Sequence, residues 1–380
     1  MRKLALATYA INASQICNMV LTAFAVPLII GAEEYGRYAT LFAVPAFFQS
    51  AVEAYAVLNL TKGAGGRSFW ASYVGLAATA LLVTALTYYW LIDVSAAAWS
   101  VVLGAALIYR SAGSALVYTR ESVSFVRVNV AAEFITFGVY AAVLGVGLIV
   151  VAPPFSIPLL MIIGASLVAG SYLLRAAIKS GRMPLTSAAP ALGGHPVRFL
   201  LSRTYEDLTL TLMPLFVASS FGLIAAGEFR IIVSGMKVVS KVFPFRYEVI
   251  LRGIRSGEFK TASFVKVACV FLVLGLGIAG VLYFIRGVIF LSADTPLWAT
   301  ALSTGMLVTT LAAFPVATLY SVRPIVVSTV AAAATFLSVL FGSMSLFLMM
   351  FIAMNAATFA VTIGTLLRQE RDAHPASAAH

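Results

Sequence analysis

Charge is what this sequence has least of. Only 10% of its 380 residues are charged and 61% are hydrophobic, with a mean hydropathy of +1.00. An ordinary soluble domain is about 25% charged and about 45–50% apolar, so composition excludes a soluble globular protein. Cysteine is nearly absent: Cys17 and Cys269 both fall inside apolar runs, where neither is placed for a disulfide, a metal site or an exposed reactive thiol. The three histidines, His195, His374 and His380, lie in a linker and a tail, poorly placed for metal binding or catalysis. No Gly-x4-Gly-Lys-Ser/Thr loop occurs, which removes the commonest route to ATP hydrolysis. A long polar loop, which a membrane glycosyltransferase or polymerase needs to hold its reacting groups, is also missing. The sequence therefore reads as a non-enzyme without a cofactor.

What is present is apolar sequence in long blocks. A bilayer core about 30 Å thick takes roughly 20 apolar residues per helix. Twelve spans fit: 4–30, 37–60, 69–92, 97–119, 128–151, 155–178, 198–221, 229–250, 262–285, 297–320, 324–342 and 345–367. Stretches such as 70–90 and 267–285 are apolar on every face, unlike the alternating strands of a membrane β-barrel. The expected fold is all-α and membrane-integral, with about twelve transmembrane helices in two six-helix lobes around a central cavity. The boundaries are 1–180 for the first lobe, 181–196 for a cytoplasmic linker, 197–367 for the second lobe and 368–380 for a cytoplasmic tail. The first run, from Leu4, is too long for a cleaved signal peptide and is expected to stay as the first helix.

The net charge of +11 points to topology rather than to nucleic acid. With the N-terminus inside, only Arg37, Arg230 and Arg286 lie near outward connections, leaving 22 of the 25 Lys and Arg toward the other side. Cytoplasmic loops collect cations in this way, so both termini are expected in the cytoplasm. Tyr88, Trp90 and Trp298 fall near span ends, where an aromatic belt would place them.

The outer end of the first span reads "GAEEYGRY" from Gly31, and that of the seventh reads "GLIAAGEF" from Gly222. Both have the form Gly-x4-Gly-charged-aromatic, offset by 191 positions. Six spans, an even number, separate them, so the halves share one orientation and are expected to be related by an axis along the membrane normal. In this context "LIIGAEEYGRYATLF" resembles the first hairpin of Wzx-type polysaccharide flippases, which handle O-antigen and other lipid-linked oligosaccharides within the multidrug/oligosaccharidyl-lipid/polysaccharide (MOP) exporter superfamily. "SSFGLIAAGEFRI" is similar to the matching hairpin of their second half. The resemblance implies a bacterial inner-membrane flippase. It would carry an oligosaccharide linked to a polyprenyl pyrophosphate, usually undecaprenyl, to the outer leaflet by alternating access, for surface polysaccharide biosynthesis. Membrane lipid and other polysaccharide-assembly proteins are the implied partners, and nucleic acid is not. The alternative is a cation-coupled drug or metabolite exporter of the same superfamily.

Charges inside the spans are the candidate site. A lysine at the centre of an isolated helix costs about 2.5–3.5 kcal/mol, so such residues face a bundle interior or a wet cavity. Lys237 and Lys241 are spaced i, i+4 on one face of the eighth span. For a span beginning near Phe229 they lie about 12 and 18 Å deep. With Arg110 on the fourth span, they are the candidate cations for an anionic head group; Arg110 could equally snorkel to the cytoplasmic interface, as Arg246 is expected to, whereas the two lysines are expected to line a cavity. Glu53, Glu133, Glu206 and Asp207 are candidates for proton or sodium coupling or for charge partners, with Arg203 and Asp207 spaced as a self-balancing pair. Asn12, Gln15 and Asn18 on the first span could meet sugar hydroxyls or neighbouring helices. Pro27, Pro45, Pro214, Pro244 and Pro315 interrupt helices and allow them to bend.

Overall fold

The computed structural model describes residues 2–61, 67–118, 123–147, 154–179, 211–242, 260–288, 323–341 and 344–373, with positions 254, 316 and 319–321. Every regular element among them is helical. The first helix, α1, runs Arg2–Val20, passes through a π-helical turn at Leu21–Ala25 and continues as Val26–Ile30. There follow α2 (Ala32–Thr61), α3 (Arg67–Leu91), α4 (Val94–Tyr118), α5 (Val123–Gly147) and α6 (Ser156–Lys179). Then come α7 (Met213–Phe221), α8 (Leu223–Val242), α9 (Thr261–Ile285), α10 (Arg323–Phe341) and α11 (Met344–Ala373). Each falls on an expected span; most of the tenth span, 297–320, lies outside the described residues. Among the described residues, 8 helices are long and apolar enough to cross a membrane. This is a multi-pass membrane protein with an all-helical fold.

Contacts divide the chain into two compact units. One is Met1–Pro196 with Leu210–Arg230; the other is Val197–Thr209 with Ile231–His380. The division runs through α8; α7, in the first unit, packs on α2.

In the first unit α4 is central, packed on α6, α2 and α3, while α5 bridges α6 and α1. The core between them gathers Val52, Phe69, Tyr73, Ile108, Leu116 and Leu173. Glycine sets the closest crossing. A Cβ on Gly113 would lie 2.9 Å from Leu173 Cβ, and one on Gly170 would lie 3.0 Å from Arg110 Cα. Small residues of this kind let membrane helices approach backbone to backbone. In the second unit α10 and α11 pack together, joined by Ser328 and Thr358 hydroxyls 2.8 Å apart. Glu370, late in α11, accepts the Thr261 N–H at the start of α9 over 2.6 Å, where a carboxylate meets an unsatisfied amide and the positive end of the helix dipole.

Two proline effects are visible. Val26 N–H reaches back five residues to Leu21 O, forming the π turn just before Pro27, whose own nitrogen cannot donate. In α2, Pro45 leaves the ladder incomplete, and Tyr88 from α3 fills the break. Its hydroxyl donates to Thr40 O and accepts from Val44 N over 3.3 Å. Leu41 O, the carbonyl Pro45 cannot serve, is 3.5 Å from Ser100 Oγ. Tyr88 is thus fully buried, at 0% exposure, and is not the belt residue its position near a span end suggests. Trp90, two residues on, is 80% exposed and stands where a belt residue would.

Candidate functional site

The two glycine motifs have the same geometry. Gly31 sits at φ 83°, ψ 164° and Gly222 at φ 90°, ψ 170°, a region essentially restricted to glycine. Gly31 N–H donates to Pro27 O and Gly222 N–H to Ala218 O, both over 3.0 Å. Gly31 O accepts from Tyr35 N and Gly222 O from Ala226 N. Every one of these pairs is related by the offset of 191. The two motifs also touch. A Cβ on Gly36 would lie 1.8 Å from Leu223 O, and one on Gly227 would lie 2.5 Å from Ala32 O. Residues 32 and 36 meet 227 and 223, again the same offset, so the contact is self-complementary as across a local two-fold axis. Only glycine at both positions permits it.

The three arginines expected near the outer side are each covered by an aromatic ring. Arg37 lies 4.6 Å from the centre of Phe155, Arg230 4.8 Å from Phe42 and Arg286 4.6 Å from Tyr283. Cation–π contact keeps a cation in place where full hydration is lost.

Within the first unit the polar residues of several helices converge. Glu133 on α5 receives Arg110 Nη2 from α4 at 3.3 Å and Gln15 Nε2 from α1 at 3.3 Å on the same carboxylate oxygen. Asn18 Nδ2 reaches the other oxygen at 3.0 Å and the Glu133 carbonyl at 3.3 Å. The side chains of Arg110 and Glu133 are 24% and 15% exposed. One turn along α4, Ser114 Oγ is 3.4 Å from Glu53 on α2, and Gln49 Nε2 donates to the same carboxylate over 2.6 Å. A polar line therefore crosses the first unit from α1 through α5 and α4 to α2. Asn18 is 7% exposed, and its Oδ1 is buried without a hydrogen-bond partner.

This alters the expectation for the first half. Glu53 and Glu133, isolated along the chain, are both partnered by helices distant in sequence. Arg110 is ion-paired with Glu133, the charge-partner alternative expected for that carboxylate. Gln15 and Asn18 bond a neighbouring helix. The residues that sequence reasoning missed are Gly113, Gly170 and Tyr88, which set the spacing and bend of the helices carrying these groups. A glycine in an apolar run carries no partner information, and Tyr88 carried a misleading one.

In the second half, α8 begins at Leu223, six residues before the expected start. Lys237 is then about 21 Å and Lys241 about 27 Å along the helix from its N-terminus, at about 1.5 Å per residue. Arg230, Ser234, Lys237 and Lys241 follow at i, i+4, i+7 and i+11, a stripe about 60° wide. Lys237 is half-buried and Ser234 buried. Glu228 of the same helix lies buried on the opposite face. Arg203, Glu206 and Asp207 lie outside the described residues, as do Pro244 and Pro315. Cys17 and Cys269 are free and lie on exposed helix surfaces. Among the described residues no group of His, Cys, Asp and Glu is arranged to hold a metal.

No protein-family model and no curated protein matches the chain. Among solved structures, the chain is similar to one described as the inward-facing conformation of a multidrug resistance MATE family transporter of the MOP superfamily. The two share 10% sequence identity with a TM-score of 0.54, over 97% of this chain and 98% of the other. At that identity the likeness concerns architecture, and it spans nearly the full length of both: this chain has the fold of a MOP-superfamily transporter.

Proposed function

We propose that the protein is a flippase for lipid-linked oligosaccharide, moving a polyprenyl-pyrophosphate-linked sugar from the cytoplasmic to the outer leaflet of a bacterial inner membrane. The observation that carries this reading is the cationic stripe of α8 in a chain with an exporter fold. Lys237, half-buried and about 21 Å along α8, lies within a hydrocarbon core about 30 Å thick, where a cation is costly in lipid and well matched to an anionic head group; Lys241, on the same face, lies near the edge of that core. The pyrophosphate would meet these lysines while the polyprenyl tail stays in the membrane. With no nucleotide-binding loop in the sequence, the energy source is an ion gradient or the membrane potential. Glu53, Glu133, Glu206 and Asp207 are the groups available for proton or sodium coupling.

A second reading is favoured by the description of the structural neighbour: a cation-coupled exporter of drugs or metabolites. In that case the carboxylates carry the transport and the lysines are incidental. Reconstitution separates the two. Proteoliposomes containing the full chain should move a fluorescent lipid-linked oligosaccharide faster under an imposed proton or sodium gradient, and should not expel cationic dyes. Dye export without movement of the lipid-linked sugar would establish the second reading instead.

A further inference from the structure

Three hydrogen-bond donors from two helices aim at one carboxylate in the first unit. Arg110 Nη2, Gln15 Nε2 and Asn18 Nδ2 lie 3.0–3.3 Å from the Glu133 oxygens. A planar guanidinium flanked by neutral amide donors is the usual recognition set for a carboxylate or a phosphate, because both present several acceptor oxygens. Glu133 supplies that anion from within the chain. The ion pair is also placed unusually for a purely structural one. It keeps 24% and 15% of its side-chain surface open, and in a membrane-spanning region such surface is tolerated where it meets water rather than lipid. Solutes that reach that water can reach the donors. A buried acceptor, Asn18 Oδ1, has no partner in the paired arrangement, so the cluster as it stands leaves one polar group unsatisfied.

We propose that Arg110, Gln15 and Asn18 form a phosphate-class anion site in the first unit, and that Glu133 occupies it as a tethered competitor when no substrate is bound. An incoming phosphate exchanges with the carboxylate for the same three donors. This rests on the flippase reading and deepens it. The Glu133 side chain must be displaced for the anion to bind, so apparent affinity falls by the fraction of time the internal pair is open. Glycine at 170 lets α6 approach the backbone of Arg110, which fixes where that side chain starts. The exchange makes and breaks hydrogen bonds only; no covalent bond changes.

The prediction is opposite in sign to that for an ordinary binding residue. Replacing Glu133 should strengthen anion binding, where loss of a ligand-binding group would weaken it. The experiment uses the purified full chain in nanodiscs, titrated calorimetrically with inorganic pyrophosphate and, separately, with farnesyl pyrophosphate. Glu133→Gln keeps shape and an acceptor while removing the competing charge, and should tighten binding about ten- to hundredfold, the equivalent of one charge-assisted hydrogen bond. Glu133→Asp preserves the charge balance, draws the carboxylate back by one methylene, and should fall between; it gives the result alone if the Gln variant does not fold. Arg110→Gln should abolish the gain when combined with Glu133→Gln. Tightening with both probes assigns the site to the phosphate group itself, and tightening with farnesyl pyrophosphate alone assigns it to the lipid-borne head group. Equal affinity of wild type and both Glu133 variants overturns the competitor while leaving the flippase reading intact. Binding of neither probe to any of these proteins overturns both.

Discussion

The contact between Gly36 and Gly227 allows the sharpest calculation from this structure. Gly36→Ala places a carbon 1.8 Å from Leu223 O and 2.6 Å from its carbonyl carbon. A carbon beside a carbonyl oxygen rests at about 3.3 Å, so the two helix backbones must part by about 1.5 Å at this crossing. Gly227→Ala meets Ala32 O at 2.5 Å and needs a shift of about 0.8 Å by the same measure. In both cases the obstacle is backbone, which cannot swing aside as a side chain can. Overpacking a well-fitted interior typically costs 1–3 kcal/mol, and Gly36→Ala should reach or exceed the top of that range. Against it stands the gain from replacing glycine within a helix, about 1 kcal/mol at most. Gly75 and Gly138 serve as controls, since a Cβ at either meets nothing within 4 Å. The assay is thermal unfolding of detergent-purified variants followed by tryptophan fluorescence and by loss of the monodisperse elution peak. The predicted order of stability is Gly75→Ala and Gly138→Ala at or above wild type, Gly227→Ala below it, and Gly36→Ala lowest. If Gly36→Ala melts with the two controls, the helices are not in backbone contact and the paired-motif geometry is wrong.

Two further outcomes test the local structure. Gly31→Ala and Gly222→Ala have open space around the new methyl group, so each should lose about 1–3 kcal/mol through backbone strain alone, measurable by the same melts and similar for the two sites. Tyr88→Phe removes the hydroxyl that bridges Thr40 O and Val44 N beside Pro45. It leaves buried backbone groups unpaired and should cost about 1–3 kcal/mol, whereas Tyr89→Phe, on an exposed face, should leave the melting midpoint unchanged.

The run of apolar residues fixes where helices lie, because each must cross a layer of known thickness with its backbone bonds closed within itself. That is why the bounds of α2, α3, α4, α6 and α9 can be read along the chain to within a few residues, and why a repeated glycine motif pointed to matching turns. Partnership between helices obeys no such local rule. Glu133 and Gln15 are 118 positions apart and Glu53 and Ser114 are 61 apart, and nothing in their own segments marks them as neighbours. Tyr88 shows the limit from the other side. A tyrosine near the end of a span fits an interface belt by composition, yet a proline 43 positions earlier leaves a vacancy in the hydrogen-bond ladder that its hydroxyl fills. The sequence places the start of α8 at 229, just past the charge of Glu228, whereas the helix begins at Leu223. Charge marks the edge of the hydrocarbon layer rather than the end of a helix.

In the function proposed above, the lysines of α8 meet the anionic head group of a lipid-linked substrate. The direct test is the Lys237→Gln, Lys241→Gln double variant, reconstituted in proteoliposomes and assayed for movement of a pyrophosphate-linked oligosaccharide across the bilayer under an imposed gradient. Glutamine keeps polarity and approximate length but removes both charges, so the helix should insert at least as readily, and protein level is quantified alongside. Transport should fall sharply at normal protein level, with Lys→Arg at either position retaining part of it. Wild-type transport by a fully expressed double variant would show that the lysines do not bind the head group.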